Sequence, residues 1–172
     1  MSIVPDTKNW TWVLERECPE CGFDSSTTPA SAVPGMLREN AAAWPAVLGR
    51  ADVAVRPDPS TWSALEYGAH VRDVFRIFRV RFGLMLEQDD PAFPNWDQDE
   101  TALVERYNEQ DPATVSAELT EAAEVLARAL EQVPADAWER RGFRGDGSAF
   151  TVDTLARYFI HDPVHHLHDV RG

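Results

Sequence analysis

Apolar residues recur at helical spacing in several stretches of the chain. Leu37, Ala41, Trp44 and Leu48 form one stripe, which predicts a first helix starting near Ser31, with Pro34 in its first turn and a kink at Pro45. Residues 62 to about 87 predict a second helix, for which Asp58 to Thr61 offer capping residues. Val115, Leu119, Ala122, Leu126, Leu130 and Val133 hold a 3.6-residue period with Glu118, Glu121 and Glu124 outside it. They predict a third helix that opens at Asp111-Pro112 and ends at Pro134. A fourth helix begins around Thr151-Val152-Asp153 and runs to the C-terminus. Between these lie a Pro-rich loop at 89–100, a short helix at 101–107, and a turn-rich excursion with Gly142, Gly145 and Gly147 that suits a small hairpin. Near the N-terminus Trp10, Trp12 and Leu14 alternate with mostly polar neighbours, the pattern of a short strand or an extended arm. The expected architecture is all-α: a four-helix bundle over residues 31–172, preceded by an N-terminal arm over 1–30.

Composition narrows the partners. With 44% hydrophobic residues and six tryptophans, the chain can bury a core. Its formal net charge of −13 sets it against phosphate backbones and anionic membrane surfaces. Nucleic acid and membranes are therefore not expected as partners, and a small-molecule substrate is. A symmetric homodimer through a bundle face stays open. No apolar targeting segment opens the sequence and no stretch is apolar enough to span a bilayer, so a cytoplasmic location is expected.

The candidate chemistry is concentrated at the C-terminal end. Four of the five histidines lie between Tyr158 and Arg171. On a helix His161 and His165 are one turn apart and can share a metal ion. His168 is about 10 Å along the axis from His161 at roughly 1.5 Å per residue, too far to join them, and His166 turns to another face. The fifth histidine, His70, lies on the second predicted helix. Together His70, His161 and His165 make a three-histidine site, which leaves coordination positions open, as in catalytic rather than structural zinc sites. Zinc is the first expectation, with nickel or iron as alternatives. Glu66, Asp73, Asp162 and Asp169 stand near enough in sequence to orient the rings. The competing reading makes the C-terminal histidines an exposed polar face and His70 a core residue. Pro163 lies between the proposed ligands and removes the N–H that would bond the Phe159 carbonyl, so it is expected to disturb the pair.

A second candidate is Cys18-Pro19-Glu20-Cys21-Gly22, half of a zinc knuckle. No second CxxC exists. Cys18 and Cys21 can be packed thiols, a redox pair, or metal ligands completed by His166 or His168. Arg72, Arg76 and Arg79 share one face of the second helix, which is expected to be solvated.

Two segments carry a family resemblance: Leu65-Glu66-Tyr67-Gly68-Ala69-His70-Val71-Arg72-Asp73 and Tyr158-Phe159-Ile160-His161-Asp162-Pro163-Val164-His165-His166-Leu167. In order and placement they resemble the DinB-like superfamily and are similar to the metal-binding domain of mycothiol-dependent maleylpyruvate isomerases. The resemblance covers residues 31–171. It implies a four-helix bundle with a long crossover and a divalent metal on His70, His161 and His165. It also implies an S-transferase activity with a low-molecular-weight thiol such as mycothiol; separately from the resemblance, Arg81 or Arg144 could hold a carboxylate of the thiol or substrate. The alternatives are a metal-dependent hydrolase and a non-enzymatic metal-binding or interaction module. The CxxC arm and Pro163 depart from the family pattern.

Overall fold

The structure, a computed structural model, describes residue 3 and residues 9–171. Among the described residues there are five α-helices: α1 Val33–Leu48, α2 Ala64–Glu87, α3 Gln98–Val104, α4 Pro112–Glu131 and α5 Val152–Arg171. The four long ones form the bundle. α1 and α2 each lie against both α4 and α5, and touch one another less. The core between them is built from Leu37, Trp44, Phe75, Phe82, Leu119, Leu126, Leu155 and Phe159, all essentially inaccessible to water.

Local chemistry sets the helix ends. Ser63 caps α2: its hydroxyl accepts from the Glu66 amide, and the Glu66 carboxylate accepts in turn from the Ser63 amide at 2.8 Å. The cap therefore falls after the Asp58 to Thr61 stretch that the sequence offers. The same carboxylate holds Arg56. Asp111 caps α4 through the Thr114 amide, and Pro112 stands in the first turn, where its missing N–H costs nothing. Gly68 lets α2 approach the end of α1, since a Cβ there would meet Leu48 at 2.9 Å.

The crossover between α2 and α4 holds more than a loop. Its residues include α3 and a short strand, β1 Ala92–Phe93. The excursion after α4 is a hairpin, β2 Arg141–Arg144 and β3 Ala149–Thr151. β2 pairs antiparallel with β3 and parallel with β1, giving a small sheet of order β1-β2-β3 beside the helices. No helix among the described residues is long and apolar enough to cross a membrane.

Three local expectations are corrected. Residues Trp10–Leu14 form a 3₁₀ helix, capped by the Asn9 side chain on the Thr11 amide, and not a strand. Pro163 does not interrupt α5, which is helical from Val152 to Arg171. Burial of Leu155, Phe159, Ile160 and Leu167 holds the helix on both sides of the proline, and Asn40 of α1 donates to the Pro163 carbonyl at 2.7 Å. The arginine strip is also only partly solvated. Arg72 is buried, donating to Asp73, Glu118 and Gln110, and Arg76 joins the same carboxylates from the surface.

Candidate metal centre

The five histidines do not gather into one group. Among the described residues, ligand-type side chains converge at two places on neighbouring faces of α5. In the first, His70 of α2 meets Asp162 and His166 of α5. In the second, His161 and His165 of α5 meet Cys18 and Cys21 of the N-terminal arm. In each, one ligand atom per residue lies within 4.8 Å of all the others. The structure thus keeps the expected His161/His165 pair but separates it from His70. His166, which helix geometry alone sends to another face, joins His70, and the cysteines take His161 and His165 rather than His166 or His168. His168 is exposed.

The first group is built by the crossing of two helices. His70 is fully buried, its ring stacked on Trp96 at 5.3 Å and 3° and flanked by Trp62 at 5.3 Å. Burial pulls its pKa down, against the opposing pull of Asp162, so the imidazole is neutral, which is the form that binds metal. Asp162 and His166 are one helical turn apart on α5. Asp162 Oδ1 is 3.4 Å from His70 Nε2, and Asp162 Oδ2 is 3.7 Å from His166 Nε2. Asp169 contacts the other nitrogen of His166, Nδ1, at 3.1 Å. A carboxylate on Nδ1 fixes the tautomer that leaves Nε2 free to ligate.

The residues present fit a divalent cation. His70 Nε2 and Asp162 Oδ1 are buried without a hydrogen-bond partner, although they lie 3.4 Å apart, because the contact is not aligned as a hydrogen bond. Buried polar atoms are rarely left in that state. The charge balance can be met in either of two ways. Burial alone would lower the His166 pKa, but Asp162 and then Asp169 push it up to about 9. Burial likewise opposes ionisation of Asp162, yet the charge of His166 holds it well below the usual carboxylate range. The cluster therefore demands a positive charge, which a proton on His166 or a metal ion can carry. Two neutral imidazole nitrogens and one carboxylate oxygen would leave room for further ligands.

Glu66 and Asp73, which the sequence offers as ring-orienting carboxylates, are spent elsewhere. Glu66 belongs to the α2 cap and Arg56, and Asp73 accepts from Arg72 and from the Tyr107 hydroxyl at 2.6 Å.

A cavity of about 580 Å³ opens onto Asp162 and His166. Its walls include Trp96, Tyr158, Arg81 and Arg144, and residues Trp10, His161 and His165 from the second group. Arg81 is 7% exposed and makes no ion pair among the described residues. It donates to the Pro94 carbonyl at 3.1 Å and lies over the Phe78 and Phe93 rings at 4.9 and 5.0 Å. Burial brings its pKa down to about 10, which still leaves it charged at neutral pH. Arg144, by contrast, is engaged by Asp146 and by the Tyr158 hydroxyl.

The second group is enclosed by aromatic rings. Trp10, Trp12 and Phe23 stand 5.3, 6.4 and 5.6 Å from the His161 ring, and Trp10 is 5.3 Å from that of His165. Burial and the nearby His165 lower the His161 pKa to about 4, and burial, with Cys18 alongside, raises that of Cys21 to about 11.

Fold and site together define a four-helix bundle with a cluster of metal-ligand side chains at the meeting of two of its helices. The sequence profile of the DinB superfamily matches residues 36–170, and the chain belongs to that superfamily. No curated protein sequence matches it. Among solved structures it is similar to YfiT from Bacillus subtilis, a probable metal-dependent hydrolase with an unusual four-helix bundle topology. That match has a TM-score of 0.64 and 18% identity, and covers 97% of this chain and 89% of YfiT. At that identity the likeness establishes the fold.

Proposed function

We propose that this protein is a divalent-metal-dependent enzyme, with the ion held by His70, Asp162 and His166, that transfers a low-molecular-weight thiol to a small electrophile. The observation that carries the metal assignment is the convergence of His70 Nε2 and Asp162 Oδ1, both buried and without a hydrogen bond, beside a cavity that Asp162 and His166 line. When bound, the metal supplies Lewis acidity that lowers the pKa of a thiol or water reaching it and yields a nucleophile at neutral pH.

The chain's own residues do the rest. Asp169 orients His166, and Trp62 and Trp96 hold the His70 ring and keep bulk water from it. Arg81 presents a desolvated cation to the cavity, suited to a carboxylate carried by the thiol or by the electrophile. A cavity of about 580 Å³ has room for a small organic molecule rather than for water alone. The resemblance to thiol-dependent members of the superfamily favours the thiol.

YfiT's description as a probable metal-dependent hydrolase supports a second reading, in which water is the nucleophile. One experiment separates the two. Metal-loaded protein is incubated with an activated electrophile in the presence and absence of thiol. Transfer predicts turnover that requires the thiol and a thioether or thioester product. Turnover that ignores thiol would sink the transferase reading in favour of hydrolysis, and no turnover in either arm would sink both.

A further inference from the structure

We infer that Cys18, Cys21, His161 and His165 form a second and separate metal site, a closed structural zinc centre that fastens the N-terminal arm onto α5. The site is distinct from the centre at His70, Asp162 and His166 and does not depend on the activity proposed for it.

The geometry is that of a tetrahedral zinc ligand set. With Zn–S bonds of about 2.3 Å and Zn–N bonds of about 2.0 Å, tetrahedral angles put neighbouring ligand atoms roughly 3.3–3.8 Å apart. Cys18 Sγ lies 3.6 Å from His165 Nδ1. All four ligand atoms lie within 4.8 Å of one another, so contraction by about 1.5 Å at most completes the shell. Cys18, His161 and His165 are 1, 4 and 7% exposed, and His161 Nε2 is buried without a hydrogen-bond partner. That orphaned nitrogen is the observation that points to a ligand.

The arm is shaped for the task. The Cys18 amide donates to the Phe23 carbonyl at 2.8 Å, and the Gly22 amide donates to the Cys18 carbonyl at 2.9 Å. This tight turn brings both sulfurs to one side. It needs φ of +75° at Gly22, a conformation open to glycine and strained for other residues. On the other side α5 supplies an i, i+4 histidine pair. His165 turns Nδ1 to the sulfur and Nε2 to Glu20, whose carboxylate is 3.3 Å away. A carboxylate on the remote nitrogen of a ligating histidine fixes its orientation.

Two thiolates and two imidazoles fill four positions, which makes the site closed and its role structural. Each thiol gives its proton to solvent on binding, so two protons leave per ion. The centre also builds the cavity: Trp10, His161 and His165 form one of its walls, so fastening the arm keeps that wall in place.

Cobalt substitution tests the site without reference to activity. Reduced full-length protein reconstituted with Co²⁺ is expected to show a thiolate-to-cobalt charge-transfer band in the near ultraviolet. His70→Ala should keep that band while losing the other equivalent of metal. Cys18→Ser/Cys21→Ser should lose the band and become cleavable by protease within residues 9–27. Should the cysteine variant fail to fold, the wild-type and His70→Ala spectra still decide. Absence of the band in reduced wild-type protein, or its survival in the cysteine variant, would overturn the inference.

Discussion

His165 and His166 are consecutive residues that serve neighbouring faces of α5. His165 Nδ1 stands 3.6 Å from Cys18 of the N-terminal arm, whereas His166 Nε2 stands 3.7 Å from Asp162, in the cluster that faces α2. A step of about 100° per residue around the helix is enough to divide them. Alanine at each position should therefore give different losses. His166→Ala is expected to reduce activity by at least about 100-fold and to leave the cobalt–thiolate band intact, since it deletes a proposed ligand of the reactive centre. His165→Ala should weaken or abolish the band and loosen the arm, with activity falling only as far as the cavity wall is disturbed. Metal content and spectra of the two variants, measured side by side, check the division. Equal effects on both readouts would remove it.

Asp169 touches both histidines. Its Oδ2 is 3.1 Å from His166 Nδ1 and its Oδ1 is 3.7 Å from His165 Nε2. Asp169→Asn keeps the shape and removes the charge that orients the imidazoles. The expected outcome is a roughly 10–100-fold loss of metal affinity at the His70, Asp162 and His166 centre, read by competition with a chelating dye. The effect on the cysteine site should be smaller, because Glu20 also supports His165. Unchanged affinity at the first centre would show that Asp169 does not orient His166.

The bundle was legible in the sequence because its signals are local. The stripe Val115, Leu119, Leu126 and Leu130 is buried in α4 as its period requires, and Pro34 and Pro112 both fall in first turns. What escaped is non-local. Asp162 and His166 share the one-turn spacing of His161 and His165, and nothing in the periodicity says which pair meets α2. Counting histidines pairs His70 with His161 and His165, because it passes over a carboxylate as a ligand, whereas the structure sets His70 beside Asp162 and His166. The only available signal was that Asp162–His166 repeats the same spacing one residue later. Cys18 and His165 lie 147 residues apart, a relation that only the docking of the arm creates. Pro163 misled in the other direction: a proline costs a hydrogen bond, but packing on both sides and the Asn40 contact outweigh it.

Arg81 should govern substrate capture more than stability. Its guanidinium is buried beside two phenylalanine rings and has no carboxylate partner among the described residues. Truncation therefore strands no opposing charge. Arg81→Ala is expected to raise KM for a carboxylate-bearing thiol or electrophile by about 10–100-fold, with a smaller change in kcat, as the loss of one charge-assisted contact implies. Arg81→Lys should restore part of the binding but not the planar, two-pronged contact. Steady-state kinetics with a charged substrate and its neutral amide decide the point. If Arg81→Ala impairs both equally, the residue is not reading the anion.

Glu66 links the α2 cap to the acid stability of the molecule. Its side chain is 3% exposed, and burial opposes its ionisation. The Arg56 guanidinium and the Ser63 groups outweigh burial and leave its pKa below the usual carboxylate range. A carboxylate whose folded pKa is depressed contributes stability that is fully present above the unfolded pKa and is lost as pH falls through the folded one. Glu66→Gln keeps an oxygen for the Ser63 amide and removes the charge together with the second acceptor, which faces Arg56. Because Arg56 is 32% exposed, solvent screening discounts the pair, and the variant should lose about 1–2 kcal/mol at neutral pH. The gap between wild type and Glu66→Gln should stay constant down to about pH 4.5 and shrink below it, as protonation removes the same charge from the wild type. Urea denaturation across the pH range measures it. A gap that persists unchanged well below pH 4 would mean that the carboxylate charge is not what stabilises this end of α2.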